Sequence, residues 1–158
     1  MTNPYTGPLG FQNRLSHDEI GEKDGRVVIR LTKALIYIDK KGRRHEIPAG
    51  FECDMSSVPR LPVIFFLWGD KAHREGVLHD YHYRKDSAFN LSREESDGLF
   101  AEAIKSNSPS HPAGSCLISG PMWSGVRLGG WTAFHVMSVN DHYKLDIEYK
   151  DAEQEVCR

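Results

Sequence analysis

The sequence predicts an α+β domain in which a small N-terminal antiparallel sheet packs on a core of three helices. In residues 26–31, apolar side chains at 27, 29 and 31 alternate with Arg26, Val28 and Arg30, a pattern typical of a strand. A second apolar run, 35–39, and residues 45–47 flank the turn 40–43, and this arrangement indicates a β-hairpin. After residue 70, capping residues and apolar residues at helical spacing replace the strand pattern, so the rest of the core is predicted to be helical.

Length, charge and cysteine content limit the class of protein. The 158 residues fit one domain, and a net charge of -2 with no long basic run disfavours nucleic-acid binding. Cys53, Cys116 and Cys157 are odd in number and form no CxxC pair, so neither a disulfide framework nor a structural zinc site is expected. The N-terminus lacks the features of a signal peptide, and the longest apolar stretch, 62–68, is too short to span a bilayer. We therefore expect a protein made in the cytoplasm and not inserted in a membrane.

The chain is predicted to have three parts: an extended N-terminal arm (1–25), a single globular domain (26–150) and a tail (151–158). The arm is rich in Gly, Pro and Asn and only weakly patterned. Within the domain, a loop-like segment at 51–60 separates the hairpin from the helices. A final alternating segment, 143–149, predicts a last strand.

Three helices are predicted between that loop and the last strand. The first covers about residues 71–84 and is capped by Asp70. The second covers about residues 92–107 and begins with the capping box S-R-E-E. The third covers about residues 120–136 and begins with Gly-Pro, because proline is favoured in the first turn of a helix.

Asp97 is the most informative residue of the second helix. Phe100 and Ile104 follow it at i+3 and i+7, so Asp97 lies on the stripe that faces the core. A buried carboxylate is costly without a hydrogen-bond partner. The preceding helix offers His79 and Tyr83, which are spaced i, i+4 and share one face. We therefore predict that two packed antiparallel helices, joined by about eight residues, bring His79 within hydrogen-bond distance of Asp97.

Such a pair has a chemical use, because a carboxylate orients an imidazole, fixes its tautomer and stabilises its protonated form. His79, Asp97 and Tyr83 are therefore the candidate catalytic residues. Asp80 points about 100° away from His79 around the helix. Together with Asp54 of the preceding loop, it supplies oxygen ligands of the kind that calcium prefers. That loop is accordingly predicted to pack beside Asp80 and to line the same cleft.

Other interpretations of these residues remain open. The predicted histidine–aspartate pair is also compatible with a purely structural core contact, and Tyr83 with a packing aromatic. Ser56 and Ser57 raise a nucleophilic alternative, although the chain contains no GxSxG motif. Two further histidines of the first helix are expected to be solvent-facing or structural: His73 and His82.

Most of the chain, roughly residues 26–135, resembles an uncharacterised domain found mainly in tailed bacteriophages and prophages. The shared features are IPAGF at 47–51, CDMSSVPR at 53–60, LHDYHY at 78–83, SR at 92–93 and DxxF at 97–100. This resemblance implies a phage gene product, present in the host cytoplasm when made and then in the virion, whose partners are other virion proteins or a second copy of itself.

A shorter segment, about residues 70–107, is similar to the two-helix core of secreted phospholipases A2, especially the bacterial type. The similarity rests on HDxxYR at 79–84 followed by SRxxxDxxF at 92–100. It implies a role for each residue: His79 deprotonates a water, Asp97 orients His79, Tyr83 hydrogen-bonds to Asp97, and Asp80 binds calcium. The glycine-rich calcium loop of that family is absent, and only residues 53–59 offer a substitute.

Two functions follow from these resemblances. One is a virion component of the tail or baseplate, a structural protein that retains a phospholipase-A2-like His–Asp site. The other is a hydrolase of lipid or cell-envelope esters that uses a water activated by His79. For the fold, the resemblance to phospholipases A2 implies that the first two helices form an antiparallel, phospholipase-A2-like pair.

Overall fold

The described residues, 9–54, 73–106 and 134–149, form two antiparallel sheets and two α-helices in the computed structural model. The strands are β1 (Gly10–Phe11), β2 (His17–Lys23), β3 (Arg26–Leu31), β4 (Leu35–Ile38), β5 (Arg44–Ile47), β6 (Glu52–Asp54) and β7 (Ile147–Glu148). One sheet has the order β1-β4-β5, and the other has the order β6-β3-β2-β7. The helices are α1 (His73–His82) and α2 (Arg93–Ser106), with a 3₁₀ turn at Ala88–Asn90 between them. The predicted α+β class is confirmed.

The largest difference from the prediction concerns the N-terminal arm. Residues within 10–23, assigned from the sequence to an extended arm, form β1 and β2, and β2 pairs with β3. The turn between β2 and β3 is Asp24-Gly25, with φ angles of 51° and 70°. Asp-Gly is a preferred sequence for a two-residue hairpin turn, which requires positive φ at both positions. The sequence therefore contained a hairpin signal that the polar composition of β2 obscured.

The predicted hairpin at residues 35–47 is confirmed as β4 and β5. Asp39 closes its turn, since the carboxylate accepts hydrogen bonds from the backbone N–H groups of Lys41 and Arg43 at 2.9 and 2.7 Å. Gly42 has a φ of 73°, a left-handed conformation that glycine adopts without strain. These bonds hold the buried Asp39 at the end of β4.

The segment 51–60, predicted to be loop-like, contains a strand near its start. Cys53 and Asp54 belong to β6, which pairs with β3. The pairing satisfies backbone groups of β3 on its open side, and it buries Cys53 in the core. The rest of this segment, with Ser56 and Ser57, lies outside the described residues.

The first predicted helix is present as α1, but it ends at His82 rather than near residue 84. The backbone N–H of Tyr83 still donates to the carbonyl of His79 at 3.0 Å. Tyr83 therefore stays over the last turn of α1, where its side chain reaches the neighbouring helix.

The second predicted helix is confirmed as α2, together with its capping box. The N–H of Ser92 donates to Oε2 of Glu95 at 2.9 Å, and the N–H of Glu95 donates to Oγ of Ser92 at 3.2 Å. This reciprocal pair satisfies two backbone donors at the start of the helix.

The third predicted helix, about residues 120–136, lies mostly outside the described residues, and its described end, 134–136, forms a turn and bend rather than a helix. The predicted last strand at 143–149 is present only as β7, which pairs with β2. Other predicted features also lie outside the described residues: the start of the arm (1–8), the helix cap Asp70 and the tail (151–158).

One hydrophobic cluster joins both sheets to both helices. It contains buried residues of β3, β4 and β5, and from the helices Val77, Leu78, Leu99 and Ala103. α1 also packs against α2 and β6, so its rotation about its own axis is fixed and His79 and His82 have defined surroundings. None of the described helices is long and apolar enough to cross a membrane.

Candidate active site

His79 on α1 and Asp97 on α2 form the hydrogen bond that the sequence predicts. Nε2 of His79 lies 3.0 Å from Oδ1 of Asp97, and the hydroxyl of Tyr83 donates to the same oxygen at 2.6 Å. The rings of Tyr83 and Phe100 pack on the imidazole, with centroids 4.1 and 4.9 Å away. The side chains of His79 and Tyr83 therefore converge on one carboxylate oxygen of Asp97, the third candidate catalytic residue.

The pair is enclosed by the fold, although His79 keeps a small exposed area. Asp97 is 0% exposed and His79 is 8% exposed. Asp97 shares the buried face of α2 with Phe100 and Ile104, as the spacing of the apolar residues predicts. A carboxylate removed from water in this way depends on its hydrogen bonds, because an uncompensated buried charge destabilises the fold by several kcal/mol.

Burial and hydrogen bonding set the protonation states of the pair. Burial opposes ionisation of Asp97, but hydrogen bonds from His79 and Tyr83 outweigh it, so the pKa of Asp97 lies below its ordinary value. Burial also lowers the pKa of His79, against the opposing effect of Asp97. At neutral pH, Asp97 is therefore ionised and His79 is neutral. Since a carboxylate only accepts hydrogen bonds, Nε2 of His79 bears the proton and Nδ1 carries a lone pair.

The second ring nitrogen of His79 lies near Asp80. Nδ1 is 3.9 Å from Oδ1 of Asp80, which exceeds the length of a hydrogen bond. The side chain of Asp80 is 16% exposed, so this side of the imidazole is more open than the side that faces Asp97. An unprotonated nitrogen beside a partly open carboxylate is a place where a water molecule or a substrate can bind.

The candidate metal ligands Asp54 and Asp80 both affect the pKa of the same residue, Tyr143. Burial, followed by the charges of Asp80 and Asp54, raises the pKa of the Tyr143 hydroxyl. β6, which carries Asp54, packs against α1, and Asp54 is ion-paired with Arg26 at 3.0 Å. The rest of the loop that was predicted to pack here, 55–60, lies outside the described residues. No group of three or more His, Cys, Asp or Glu side chains in the described ranges could hold a metal ion. Calcium binding therefore stays a prediction.

Comparison with known proteins identifies the family of this chain. The family model of DUF1353, a protein of unknown function, matches residues 29–117. The chain belongs to this family. No curated protein and no solved structure matches the chain. The DUF1353 segment includes half of β3, all of β4, β5 and β6, and both helices, and it therefore contains every candidate catalytic and metal-binding residue.

The DUF1353 segment also contains a second histidine network, which sequence reasoning missed. His82 is fully buried, so of its two predicted roles the structural one applies. Its Nε2 lies 2.9 Å from Nδ1 of His45, and Nε2 of His45 lies 3.1 Å from Oδ2 of Asp39. Nε of Arg43 donates to the same Asp39 oxygen at 2.7 Å. This chain of bonds ties the β4–β5 hairpin to α1.

The protonation states of the second network follow from the same physics. Burial lowers the pKa of both histidines, and that of His82 falls to about 3. Burial opposes ionisation of Asp39, but its hydrogen bonds with Arg43 outweigh it and lower its pKa. Ionised Asp39 therefore accepts a hydrogen bond from the Nε2–H of His45, and Nδ1 of His45 accepts one from the Nε2–H of His82. Nδ1 of His82 has no hydrogen-bond partner within the described part of the chain.

Proposed function

We propose that this protein hydrolyses an ester with a water molecule that His79 deprotonates. The observation that carries the proposal is that the two ring nitrogens of His79 have different surroundings. Nε2 is held by Asp97 at 3.0 Å, whereas Nδ1 is unprotonated and lies on the more open side, 3.9 Å from Asp80. A general base requires a fixed orientation, an unprotonated nitrogen at working pH and access to the proton that it removes.

The reaction can be written with the residues of this chain alone. Nδ1 of His79 takes a proton from water, and the resulting hydroxide attacks the carbonyl carbon of the ester. Asp97 stabilises the imidazolium that forms, and the Tyr83 hydroxyl holds the Asp97 carboxylate in place. The imidazolium then gives its proton to the departing alkoxide as the tetrahedral intermediate collapses, which returns His79 to its neutral form.

The proposed substrate class is an ester of a phospholipid or of another cell-envelope lipid. Support comes from the HDxxY and DxxF motifs, which resemble those of phospholipases A2, and from the convergence of their side chains on one Asp97 oxygen. Calcium would be held by Asp80 and Asp54. Two carboxylates, one of them paired with Arg26, supply only part of the roughly six to eight oxygens that calcium takes, so no step of the reaction is assigned to the ion.

A structural role in a phage particle is the second candidate function. It is favoured by the burial of the pair, because a polar contact between α1 and α2 as enclosed as His79–Asp97 also stabilises their packing. In this role the protein is a component of the tail or baseplate that binds other virion proteins or a second copy of itself, as the resemblance to the phage domain implies.

Hydrolysis of phospholipid vesicles, measured with calcium and with a chelator, separates the two functions. We expect turnover by the wild-type protein, and we expect His79→Ala to lower kcat by roughly 10²–10⁴-fold while circular dichroism reports a folded protein. His17→Gln is the matched control, because it removes an imidazole from β2 rather than from the site. No turnover under either condition, together with stoichiometric presence in purified phage particles, would favour the structural role.

A further inference from the structure

Arg84 is a buried cation with no ion-pair partner among the described residues. It is 4% exposed, and a guanidinium group does not lose its proton in proteins. Other arginines are more exposed and pair with carboxylates: Arg26, Arg30, Arg43 and Arg44. An unpaired charge that is removed from water destabilises a fold. The burial of Arg84 therefore indicates a role other than surface solubility.

The protein holds Arg84 through neutral groups. Nη2 donates to the backbone carbonyl of Glu52 at 2.9 Å and to the hydroxyl of Tyr143 at 3.4 Å. The ring centroids of Phe51 and Tyr143 lie 5.3 and 5.5 Å from the guanidinium carbon, within the distance of a cation–π contact. Nη1 is buried and has no hydrogen-bond partner within the described ranges. One end of the guanidinium is thus fixed, and the other has unused donors.

Arg84 is placed by the two elements that carry the candidate metal ligands. It follows Asp80 of α1 by four residues, and the Asp80 carboxylate is 3.9 Å from Nδ1 of His79. It also bonds to the carbonyl of Glu52 on β6, the strand that carries Asp54 and packs against α1. After the larger effect of burial, the charge of Asp80 raises the pKa values of Cys53 and Tyr143, whereas the charge of Arg84 lowers them. The guanidinium is therefore held just beyond the helix that carries Asp80 and against the strand that carries Asp54.

The proposed hydrolysis needs a positive group or a set of N–H donors in this neighbourhood. Attack on an ester carbonyl places negative charge on an oxygen, and stabilisation of that charge is usually the largest catalytic contribution. The glycine-rich calcium loop of the phospholipases A2 is absent from this sequence. Arg84 is a buried cation with unused donors, four residues after Asp80, and it can supply what that loop does not.

We propose that Nη1 of Arg84 binds an anionic oxygen at the His79 site, an inference that rests on the proposed hydrolysis. The oxygen belongs either to the phosphate of the lipid substrate or to the tetrahedral intermediate. The carboxylates of Asp54 and Asp80 bring negative charge near Arg84. Binding of an anion by Arg84 therefore depends on directed N–H groups rather than on a net positive charge. A guanidinium provides such groups in a fixed plane, whereas a lysine ammonium does not.

Binding of inorganic phosphate, measured by calorimetry with the full-length protein, tests the anion site without any turnover. We expect the wild-type protein to bind phosphate and Arg84→Gln to weaken that binding roughly ten- to a hundred-fold, the range for a charge-assisted hydrogen bond. Arg84→Lys keeps the charge but loses the planar fork, so its affinity should fall between the two. Arg44→Gln, which removes an exposed arginine paired with Glu46, is the matched control and should bind phosphate as the wild type does.

Steady-state kinetics on a phospholipid and on a neutral ester distinguish the two sources of the oxygen. If Arg84 holds the substrate phosphate, Arg84→Lys raises KM for the phospholipid and leaves the neutral ester unaffected. If Arg84 stabilises the intermediate, kcat falls for both substrates.

The results also separate this inference from the proposed function. Phosphate binding that depends on Arg84, in a protein without esterase activity, would keep the anion site and reject the hydrolase. Turnover that depends on His79, with unchanged kinetics in Arg84→Lys and no phosphate binding by the wild type, would overturn the anion site and keep the hydrolase. If Arg84→Gln does not fold, Arg84→Lys and the wild type alone decide the outcome.

Discussion

Two histidines of α1, about one turn apart, belong to different networks. His79 bonds through Nε2 directly to Asp97, whereas His82 bonds through Nε2 to His45 and thereby to Asp39. Burial keeps both neutral. They differ in the remaining nitrogen: Nδ1 of His79 lies on the side of the partly exposed Asp80, whereas His82 is completely buried. His79 is therefore a candidate base because one of its ring nitrogens is accessible. His82 is linked to a carboxylate too, but it is sealed in the core and serves as a structural contact.

Substitution of the two aspartates should separate the networks most strongly. Asp97→Asn keeps the shape of the side chain but removes the charge that stabilises the His79 imidazolium, so we expect kcat for vesicle hydrolysis to fall roughly 10²-fold or more. Asp39→Asn removes the corresponding charge from the His82 network. It should leave kcat unchanged and lower the free energy of unfolding by about 1–3 kcal/mol.

Turnover and urea denaturation of both variants check this prediction, since each variant is the control for the other. An equal loss of turnover in Asp97→Asn and Asp39→Asn would remove the functional distinction between the two networks.

Acid should weaken the fold through the buried network. The pKa of His82 is about 3 in the folded protein against an ordinary value of 6.5, so the unfolded chain binds the extra proton first as the pH falls. The stabilisation is complete above pH 6.5 and is lost progressively below it. For His82 alone the loss is about 2 kcal/mol at about pH 5, and urea denaturation at that pH and at about pH 8 measures it.

His82→Gln is the control for this pH dependence, because the amide can donate an N–H to His45 and does not titrate. We expect its stability to change with pH by about 2 kcal/mol less than that of the wild type over the same range. His45 and His79, whose pKa values are also lowered, leave a residual loss in the variant. The same slope in variant and wild type would contradict the assigned role of His82.

Tyr83→Phe should have the smallest effect. It removes one of the two hydrogen bonds that His79 and Tyr83 make to Oδ1 of Asp97, so we expect the free energy of unfolding to fall by about 1 kcal/mol. Turnover should fall less than in Asp97→Asn, because the bond to His79 remains. Tyr149→Phe, which removes a hydroxyl bonded to Glu22 near β7, is the matched control. A loss of turnover as large as that of Asp97→Asn would contradict this prediction, because Tyr83 would then do more than hold the Asp97 carboxylate in place.

The His79–Asp97 contact could be predicted from the sequence because its signals are local. The capping box at Ser92 fixes where α2 begins, and the spacing of Phe100 and Ile104 after Asp97 fixes which face of α2 is buried. A buried carboxylate then requires a donor, and the preceding helix offers one.

The second network could not be predicted, because it depends on tertiary packing. Asp39 and His45 flank the turn of a hairpin and His82 lies on a helix, and no period of the sequence connects these positions. β2 was missed for a related reason: its polar residues gain their structure from pairing with β3, not from an apolar pattern of their own. Arg84 belongs to the HDxxYR motif, but its burial could not be predicted, since it depends on Phe51 and Tyr143, which are distant in the chain.

The protonation of the ring nitrogens of His79 tests the central claim most directly. Nitrogen-15 NMR of histidine-labelled protein reports which nitrogen of each imidazole bears a proton. We expect His79 to be protonated only on Nε2 at neutral pH and to gain a proton on Nδ1 reversibly, in the folded protein, below the ordinary pKa of 6.5. His82 should keep its Nε2 proton and should not titrate before the protein unfolds. A proton on Nδ1 of His79 at neutral pH, or no titration of His79 in the folded protein, would contradict the account, because His79 would then not be an available base.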